Sequence, residues 1–415
     1  METLSHSDVV VLFTSISIML LASRMFAELG RKIKLPIVMG EMIVGVILGP
    51  SIVGMIFPEF FNHFFPETGN VAISMNAITQ ISVVMLLFVA GMEVQLPVVL
   101  KQGKLALYTS LTSLAIPFTI GFWVAWLRPD LFQLQSEESH LILSVFFGTA
   151  MAITALPVIA RILMDMNMYR TKLGMLIMAS AMFNDLIGWL IFSIVLAMME
   201  HRGVGSDLGL TILYVLAFGA FMLTIGRKLL SKSLPYIQTK LSWPGGVLSF
   251  SLGLCFICAA FTEGMGVHAI LGSFIMGIAL GDSVHLHERA REIIHQFVTN
   301  IFAPLFFVSI GLHVNFIEHF NLQLILIVLV IASVGKISGA SIGAYIGGLD
   351  FRNSLAVGFG MNARGAMEIL LGTIAFKAGI IQADLYVALI VMALLTSISS
   401  APLIKWAIRK EYKQV

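Results

Sequence analysis

The sequence contains Gly40-Glu-Met-Ile-Val-Gly45-Val-Ile-Leu-Gly49-Pro-Ser51, and its pattern returns later as Gly272-Ser-Phe-Ile-Met-Gly277-Ile-Ala-Leu-Gly281-Asp-Ser283. The three glycines and the serine keep the same spacing in both stretches. Glycine is frequent in membrane helices because it lets helices approach closely, so coincidence is the alternative explanation. Four small residues in register favour a shared origin, and the two stretches therefore predict an internal repeat.

The composition around these stretches is too apolar for a water-soluble protein. Of the 415 residues, 58% are hydrophobic and 12% are charged, and the mean hydropathy is +0.95. Soluble domains carry about 25% charged residues. The two cysteines, Cys255 and Cys258, cannot form a disulfide scaffold or a zinc framework. The composition excludes a disordered chain and a nucleic-acid-binding protein, and it predicts an all-α polytopic membrane protein.

A transmembrane helix needs roughly 20 mostly apolar residues. By this measure the sequence predicts 13 transmembrane helices, at residues 9–29, 36–56, 74–92, 105–127, 141–164, 173–199, 208–225, 247–261, 267–280, 298–312, 322–347, 354–376 and 385–408. Most of the 25 Lys and Arg residues fall in loops on one side of these spans, whereas Arg128, Arg202 and Lys377 fall on the other. Because basic loops stay in the cytoplasm, we expect the N-terminus outside the cytoplasm and the C-terminus inside.

The repeat stretches lie in spans two and nine, which are seven spans apart. An odd separation inverts one copy relative to the other across the membrane. A weaker match follows each copy, in residues 88–94 and 308–314. We therefore expect an inverted repeat of two six-helix halves, spans one to six and eight to thirteen, with span seven as connector. This architecture is typical of secondary transporters.

Few charged residues lie inside the predicted spans. Asp185 and Glu368 lie well inside, and Glu41 lies about two turns from the cytoplasmic edge. An ionised group at mid-membrane costs about 2.5–3.5 kcal/mol, so each is a functional candidate, with a structural ion pair as the alternative. Asp185 has no basic residue within two turns on its helix. Such a carboxyl group can hold a proton and yet release that proton when a cation arrives. The adjacent Asn184 amide offers a neutral ligand or donor, or bonds a neighbouring backbone.

Spans five and twelve are interrupted at equivalent places in the two halves. Span five carries Thr154 and Pro157, and proline breaks the hydrogen-bond ladder of a helix. Span twelve carries polar and small residues at membrane depth, which are tolerated only where they face protein or a cavity. They are Gly358, Gly360, Asn362, Arg364, Gly365 and Glu368. Paired broken helices are a pointer to a binding site, and they predict crossed broken helices here.

Arg364 and Glu368 are four residues apart and can pair on one helix face. We expect this pair to hold the break and neutralise half-helix ends rather than to contact the ion. Lys336 in span eleven either neutralises a carboxylate when the site is empty or is a structural charge. Gly339-Ala-Ser341-Ile-Gly343 matches a serine-hydrolase pattern, but its mid-span position favours helix packing, so no catalytic residues and no enzyme are predicted.

Several motifs together resemble the monovalent cation:proton antiporter-2 family of the sodium/proton exchanger superfamily. They are Pro36-Ile-Val-Met-Gly40-Glu41 with Leu48-Gly49-Pro50-Ser51, Thr154-Ala-Leu-Pro157-Val-Ile-Ala-Arg161, Asn184-Asp185 and Asn362-Ala-Arg364-Gly-Ala-Met-Glu368. The likeness covers essentially the whole chain. It is closest to bacterial Na⁺/H⁺ exchangers and plant cation/H⁺ exchangers, and relatives include glutathione-gated potassium efflux systems.

The resemblance implies a homodimer that works by an elevator mechanism, and we expect the protein in the cell (inner) membrane. Residues 1–100 would be scaffold and dimerisation helices, and 203–318 the linker and further scaffold helices. Residues 101–202 and 319–415 would be the two halves of the transport core. Asp185 would bind the monovalent cation and the proton in turn, and Thr154 would mark the helix crossing. Lys336 would match a lysine that pairs with the first aspartate of two-aspartate relatives.

The chain departs from the family pattern in two places. Electrogenic members carry Asp-Asp where this chain has Asn184-Asp185, which predicts electroneutral one-for-one exchange. Lys336 can itself cycle a proton, so the electrogenic alternative stays open. Potassium efflux relatives add a cytoplasmic nucleotide-binding domain, and the end of this sequence at Val415 favours Na⁺ over K⁺.

Three alternatives remain open from the sequence. One is a K⁺/H⁺ antiporter or efflux system regulated by a separate cytoplasmic subunit. The second is an uncoupled cation channel, and the third is a ligand-sensing receptor built on a transporter fold. In each case we expect membrane lipid as surroundings, no nucleic acid and no cofactor. In the antiporter, Na⁺ or K⁺ and H⁺ are the transported species.

Overall fold

The structure is a computed structural model that describes residues 4–32, 37–94, 103–132, 140–166, 168–169, 171–200, 206–241, 243–265, 267–283 and 285–408. Pro157 and Asp185 lie on described helical backbone, but their side chains lie outside the described part. Throughout the described residues the regular structure is helical, with no strand.

The helices are numbered here in chain order. They are α1 His6–Lys32, α2 Ile37–Leu48, α3 Val53–Ile56, α4 Pro58–Phe64, α5 Asn70–Glu93, α6 Gly103–Leu127, α7 His140–Ala152, α8 Leu156–Asp165, α9 Lys172–Glu200, α10 Ser206–Phe221, α11 Arg227–Lys240, α12 Gly245–Gly264, α13 Ala269–Gly281, α14 Glu288–Phe297, α15 Ala303–Leu312, α16 Leu322–Ile346, α17 Phe351–Met361, α18 Ala366–Lys377 and α19 Ala383–Ile408. A π-helical turn, Met222–Gly226, joins α10 to α11, and another, Val298–Phe302, joins α14 to α15.

Eight helical segments in the described part of the chain are long and apolar enough to cross a membrane. They are His6–Gly30, Ile37–Ile56, Asn70–Glu93, Gly103–Leu127, Gly245–Gly264, Glu288–Leu312, Leu322–Ile346 and Ala383–Ile408. The predicted all-helical, multi-pass membrane protein is therefore confirmed. The count of 13 spans stays a prediction. One reason is that α7 has 13 residues and rises only about 20 Å, less than the roughly 30 Å of a bilayer core.

The chain divides into two compact units. The first unit comprises Met1–Val94 and Leu216–His319, and the second comprises Gln95–Val215 and Phe320–Val415. Each unit therefore combines one segment from each half of the sequence. Whether the units act as scaffold and transport core stays a prediction.

Glycines of the repeat stretches make matching contacts within the first unit. A Cβ on Gly45 of α2 would overlap the carbonyl oxygen of Val308 in α15, and a Cβ on Gly277 of α13 would overlap that of Phe88 in α5. Phe88 and Val308 are themselves equivalent positions of the weaker sequence match. Only glycine permits helix backbones to approach this closely. Glycines that match in the sequence repeat thus make matching close contacts, and the inverted repeat itself stays a prediction.

In the second unit, α6 packs along α16 in the same manner. A Cβ on Gly339 would lie 2.7 Å from the carbonyl oxygen of Thr112, and one on Gly343 would overlap the Thr112 hydroxyl. The Gly339–Gly343 stretch therefore serves close helix packing, as the sequence indicated. This packing brings Lys336, one turn earlier on α16, against the helices of the candidate site.

Candidate functional site

Two interrupted helices cross inside the second unit. Helix α7 ends at Ala152 and α8 begins at Leu156, while α17 ends at Met361 and α18 begins at Ala366. At the crossing, the backbone N–H of Ala155 donates to the carbonyl oxygen of Ala363 at 3.2 Å. Both interruptions lie in the segments for which the sequence predicts them.

Local sequence explains where the helices stop. Pro157 lies in the first turn of α8, where its missing N–H costs no helical hydrogen bond. Gly365 precedes α18, and a Cβ on it would lie 2.8 Å from Cγ2 of Val158 and 3.1 Å from Cβ of Ala155. The crossing therefore needs a residue without a side chain at position 365.

Arg364 holds the end of α7. Its guanidinium donates to the carbonyl oxygens of Ala150 and Met151, each at 2.6 Å, and to the Glu368 carboxylate. The side chain of Arg364 is completely buried. The last carbonyls of a helix lack partners within the helix and carry partial negative charge, so a cation there satisfies both needs.

Glu368 lies in the first turn of α18, the positive end of that half-helix. One of its oxygens accepts from Arg364, while Oε2 is buried without a hydrogen-bond partner among the described residues. Arg364 and Glu368 contact each other, and Arg364 also donates to the end of α7 and, at 3.4 Å, to the carbonyl oxygen of Ala332 in α16. A structural role of this pair in fixing the break stays a prediction.

Lys336 extends from α16 to the same end of α7. Its ammonium group is fully buried and donates to the carbonyl oxygens of Ser113, at 3.0 Å, and Ala152. Lys336 and Arg364 together donate hydrogen bonds from positively charged groups to the last three carbonyl oxygens of α7. A cation that donates to uncharged acceptors at a helix end is partly neutralised by the helix dipole.

Asn184 of α9 links Lys336 to the crossing. An ammonium group can only donate, so the amide atom facing it must be the Asn184 oxygen. In this orientation the oxygen accepts from Lys336 Nζ at 2.8 Å and from Thr154 Oγ1 at 3.2 Å, while the nitrogen donates to Ser110 Oγ at 2.8 Å. Ser113 Oγ also donates to the oxygen at 3.0 Å. The amide thus binds side chains of several helices rather than only neighbouring backbone.

Thr154 lies in the extended segment between α7 and α8 and is completely buried. Its hydroxyl also lies 3.5 Å from the carbonyl oxygen of Met361, at the end of α17. A hydroxyl carries one hydrogen, so it donates to Asn184 or to Met361 but not to both at once. Thr154 is therefore, with Arg364, a polar side chain that lies between the two breaks.

Asp185 follows Asn184 in α9, and its side chain lies outside the described residues. The side chain of Pro157 does so as well. Asn362 is buried next to the crossing, with its nitrogen 3.5 Å from Ser333 Oγ and its oxygen without a partner in the described part of the chain. Among the described residues, no group of three or more His, Cys, Asp or Glu could hold a metal ion.

Sequence reasoning missed three serines that support the site. Ser110 and Ser113 of α6 bind the Asn184 amide, and Ser397 of α19 accepts from the backbone N–H of Arg364 at 3.2 Å. A possible signal was the spacing of Ser110 and Ser113, which puts two hydroxyls on one face of an otherwise apolar span. Ser397 lies in Thr396-Ser397-Ile-Ser-Ser400, a similarly polar stretch.

Comparison with known proteins identifies the relatives of this chain. A family model described as sodium/hydrogen exchanger, transmembrane, matches residues 16–410. The Na⁺/H⁺ antiporter NhaS4 of Synechocystis sp. is 27% identical, over 96% of this chain and 97% of the relative. Cation/H⁺ antiporter 17 of Arabidopsis thaliana is 29% identical over 95% of this chain, which spans about half (48%) of that protein's length.

A solved structure shares the fold. The sodium proton antiporter MjNhaP1 from Methanocaldococcus jannaschii at pH 8 is 16% identical, covers 96% of this chain and 97% of its own, and has a TM-score of 0.64. The relatives are named as antiporters rather than enzymes, and the resemblance inferred from the sequence motifs is confirmed. Because the family model matches nearly the whole sequence, the chain belongs to the sodium/hydrogen exchanger family.

Proposed function

We propose that this protein is a secondary active antiporter that exchanges a monovalent cation for a proton. The observation that carries the proposal is the buried chain Lys336–Asn184–Thr154 at the crossing of two interrupted helices. Asp185 is the next residue of α9 after Asn184. Family membership supports the same chemistry, since relatives of this chain are named Na⁺/H⁺ and cation/H⁺ antiporters.

In this proposal Asp185 is the carrier. A carboxylate can bind either a proton or a monovalent cation. Because the two compete for one group, the carrier binds one ion only after it has released the other, and the two ions are carried in opposite directions. Thr154 and Asn184 supply neutral oxygens, which are suitable ligands for a hard cation such as Na⁺. Arg364 and Glu368 keep the crossing in place, and Asn362 and Gly365 shape the second break. No cofactor takes part.

We propose electroneutral exchange of one cation for one proton. The neutral Asn184 amide accepts from Lys336 at 2.8 Å, which supports a single carboxylate as the proton carrier at positions 184–185. Lys336 could carry a further proton if it released one during the cycle, and that is the alternative. An imposed membrane potential separates the two, because it shifts the equilibrium ion ratio only if net charge moves.

Na⁺ is the favoured cation and K⁺ the alternative. The Synechocystis and Methanocaldococcus relatives are named for sodium, whereas the Arabidopsis relative is named for cations in general. A K⁺/H⁺ antiporter or efflux system with a separate cytoplasmic regulatory subunit would have the same crossing. Apparent affinities for Na⁺, K⁺ and Li⁺ in one assay decide between these cations.

The proposed mechanism is alternating access of the elevator type. The second unit, which contains the crossing, would be the moving core, and the first unit the scaffold of a homodimer. The matching contacts of Gly45 and Gly277 support an inverted repeat. The protein would lie in the cell (inner) membrane with its N-terminus outside and its C-terminus in the cytoplasm.

A vesicle assay tests the proposed function. The purified protein is reconstituted with a pH-sensitive dye inside the vesicles, and Na⁺, K⁺ or Li⁺ is added outside. An antiporter moves protons in response to a cation even when the membrane potential is held at zero and no protonophore is present. An uncoupled channel passes cations without that proton movement, and a ligand-sensing receptor passes neither, so either result would contradict the proposal.

A further inference from the structure

Glu41 is a buried carboxyl group in the first unit, outside the crossing and without a role in the proposed exchange. It lies on α2, and only 3% of the residue is exposed. Its Oε2 has no hydrogen-bond partner among the described residues. A carboxyl group buried in a membrane protein without a partner needs a physical explanation, because an unpaired charge there is strongly unfavourable.

The surroundings of Glu41 are apolar. Helical geometry places Glu41 on the same stripe of α2 as Val44 and Leu48, three and seven residues further on. Val44 belongs to a cluster of buried apolar side chains, and Leu48 packs against it. The cluster comprises Met19, Val44, Phe61, Phe65, Leu305 and Val308. Glu41 therefore points along the seam formed by α1, α2 and α15.

The helices packed against α2 offer little charge to Glu41. Helix α15 and the short α3 carry no charged residue. Gly40 lies against Phe26 of α1, so Arg24 and Glu28 lie within about one turn of that level. These two side chains form an ion pair of 2.9 Å with each other, and both are well exposed. Glu41 thus contacts no described cation.

The internal repeat shows that packing does not require an acid at this position. Glu41 corresponds to Ser273 of α13, one residue after the matching glycine. Ser273 is also fully buried, but its hydroxyl donates to the carbonyl oxygen of Ile270 at 2.8 Å and so is satisfied within its own helix. The carboxyl group is a feature of one half of the protein only.

We propose that Glu41 is a second proton-binding site, located in the first unit and separate from Asp185. The seam of α1, α2 and α15 packs with Glu41 as the neutral acid, and loss of the proton loosens it. The reason is that Glu41 is buried beside apolar side chains, which cannot solvate a charge. The same environment makes Glu41 a modification site for hydrophobic carbodiimides.

The modification chemistry follows from a protonated acid in an apolar place. The carboxyl oxygen adds to the central carbon of dicyclohexylcarbodiimide, and the carboxyl proton passes to a carbodiimide nitrogen. The resulting O-acylisourea rearranges to a stable N-acylurea, so no group leaves and no further reagent is needed. An ionised carboxylate in water has no carboxyl proton to transfer to the carbodiimide nitrogen.

Thermal unfolding of the full chain in detergent tests the proton site. The folded protein keeps the Glu41 proton at pH values where the unfolded chain has released it, so stability should fall as the pH rises above about 4.3, the ordinary pKa of a glutamic acid, until the folded protein ionises as well. Glu41→Gln mimics the neutral acid, and its unfolding midpoint should exceed that of the wild type by roughly 2–4 °C at neutral to alkaline pH but not near pH 4. Equal pH dependence of the two proteins would overturn the proposal.

Labelling of the wild-type protein tests the site without any substitution. Dicyclohexylcarbodiimide should modify Glu41, as located by peptide mass spectrometry, whereas a water-soluble carbodiimide with an amine should modify the exposed Glu59 and spare Glu41. Modification of Glu41 by the water-soluble reagent alone would overturn the proposal. Neither readout depends on ion exchange, so failure here is distinguishable from failure of the proposed antiport.

Discussion

The Lys336 ammonium donates to the side-chain oxygen of Asn184 at 2.8 Å in the interior of the second unit. The same ammonium binds the carbonyl oxygen of Ala152, the last residue of α7. Asn184 in turn accepts from Thr154 at the crossing. A single neutral amide therefore connects the buried cation to the gap between the two half-helices.

Asn184→Asp should make exchange sensitive to membrane potential. The substitution puts a carboxylate where the amide oxygen now accepts from Lys336, and so adds a second protonatable group next to Asp185. We expect proton-to-cation stoichiometry to rise above that of the wild type. The measurement is the cation gradient at which dye-reported proton flux reverses, with and without a potassium-diffusion potential. A variant that remains as insensitive to potential as the wild type would contradict this expectation.

Arg364→Lys should destabilise the protein although it keeps the positive charge. One ammonium group cannot reproduce the planar fork that reaches Ala150, Met151 and Glu368 together. Breaking a buried pair costs about 3–5 kcal/mol, and we expect a loss towards that range. Thermal unfolding measures it, with Arg352→Lys at an exposed position as the matched control. Equal midpoints for the two variants would show that the fork is dispensable.

The interruptions of the site could be predicted from sequence because they carry local signals. Pro157 cannot continue a helix ladder, and Gly365 with Arg364 and Glu368 stands out in an apolar span. The charged pair could be predicted from its spacing of four residues. These features depend on residues that are neighbours in the chain, which is the information a single sequence contains.

The acceptors of the site could not be predicted in the same way. Arg364 and Lys336 bind backbone carbonyl oxygens of α7, and a carbonyl is present at every residue. Ser110 reaches Asn184 from 74 positions away in the chain. Such partners are selected by how α6, α7 and α16 pack, and that packing depends on glycines whose contacts the pattern alone does not specify.

Gly45→Ala should cost about 1–3 kcal/mol of stability, because the added methyl group overlaps the Val308 carbonyl and forces α2 from α15. Gly253→Ala in α12 is the control, since nothing lies within 4 Å of its Cβ position. We expect that variant to be as stable as the wild type or slightly more stable, from helix propensity. Chemical or thermal unfolding compares the two. Similar losses in both would argue against the close helix contact.

Asp350 caps the start of α17, with its carboxylate accepting from the backbone N–H groups of Arg352 at 3.1 Å and Asn353 at 3.3 Å. The side-chain amide of Asn353, together with these backbone groups, lowers the pKa of Asp350. Its carboxylate therefore stabilises the fold above its ordinary pKa, and this contribution disappears as the pH falls through the lowered value.

Asp350→Ala should cost roughly 1 kcal/mol at neutral pH, whereas Asp350→Asn, which still caps, should cost much less. Unfolding midpoints measured from neutral to acidic pH provide the check. The difference between wild type and Asp350→Ala should shrink on acidification. A difference that stays constant with pH would contradict the role of the ionised cap.

The most direct test of cation/proton exchange at Asp185 is the Na⁺-driven dye signal of reconstituted vesicles. Asp185→Asn removes the carboxylate and leaves a neutral amide of nearly the same shape, while Asp350→Asn serves as a control at a distant helix cap. We expect the wild type and the control to move protons on addition of Na⁺, and Asp185→Asn to give no signal. Retained exchange in Asp185→Asn would contradict the assignment of Asp185 as the carrier.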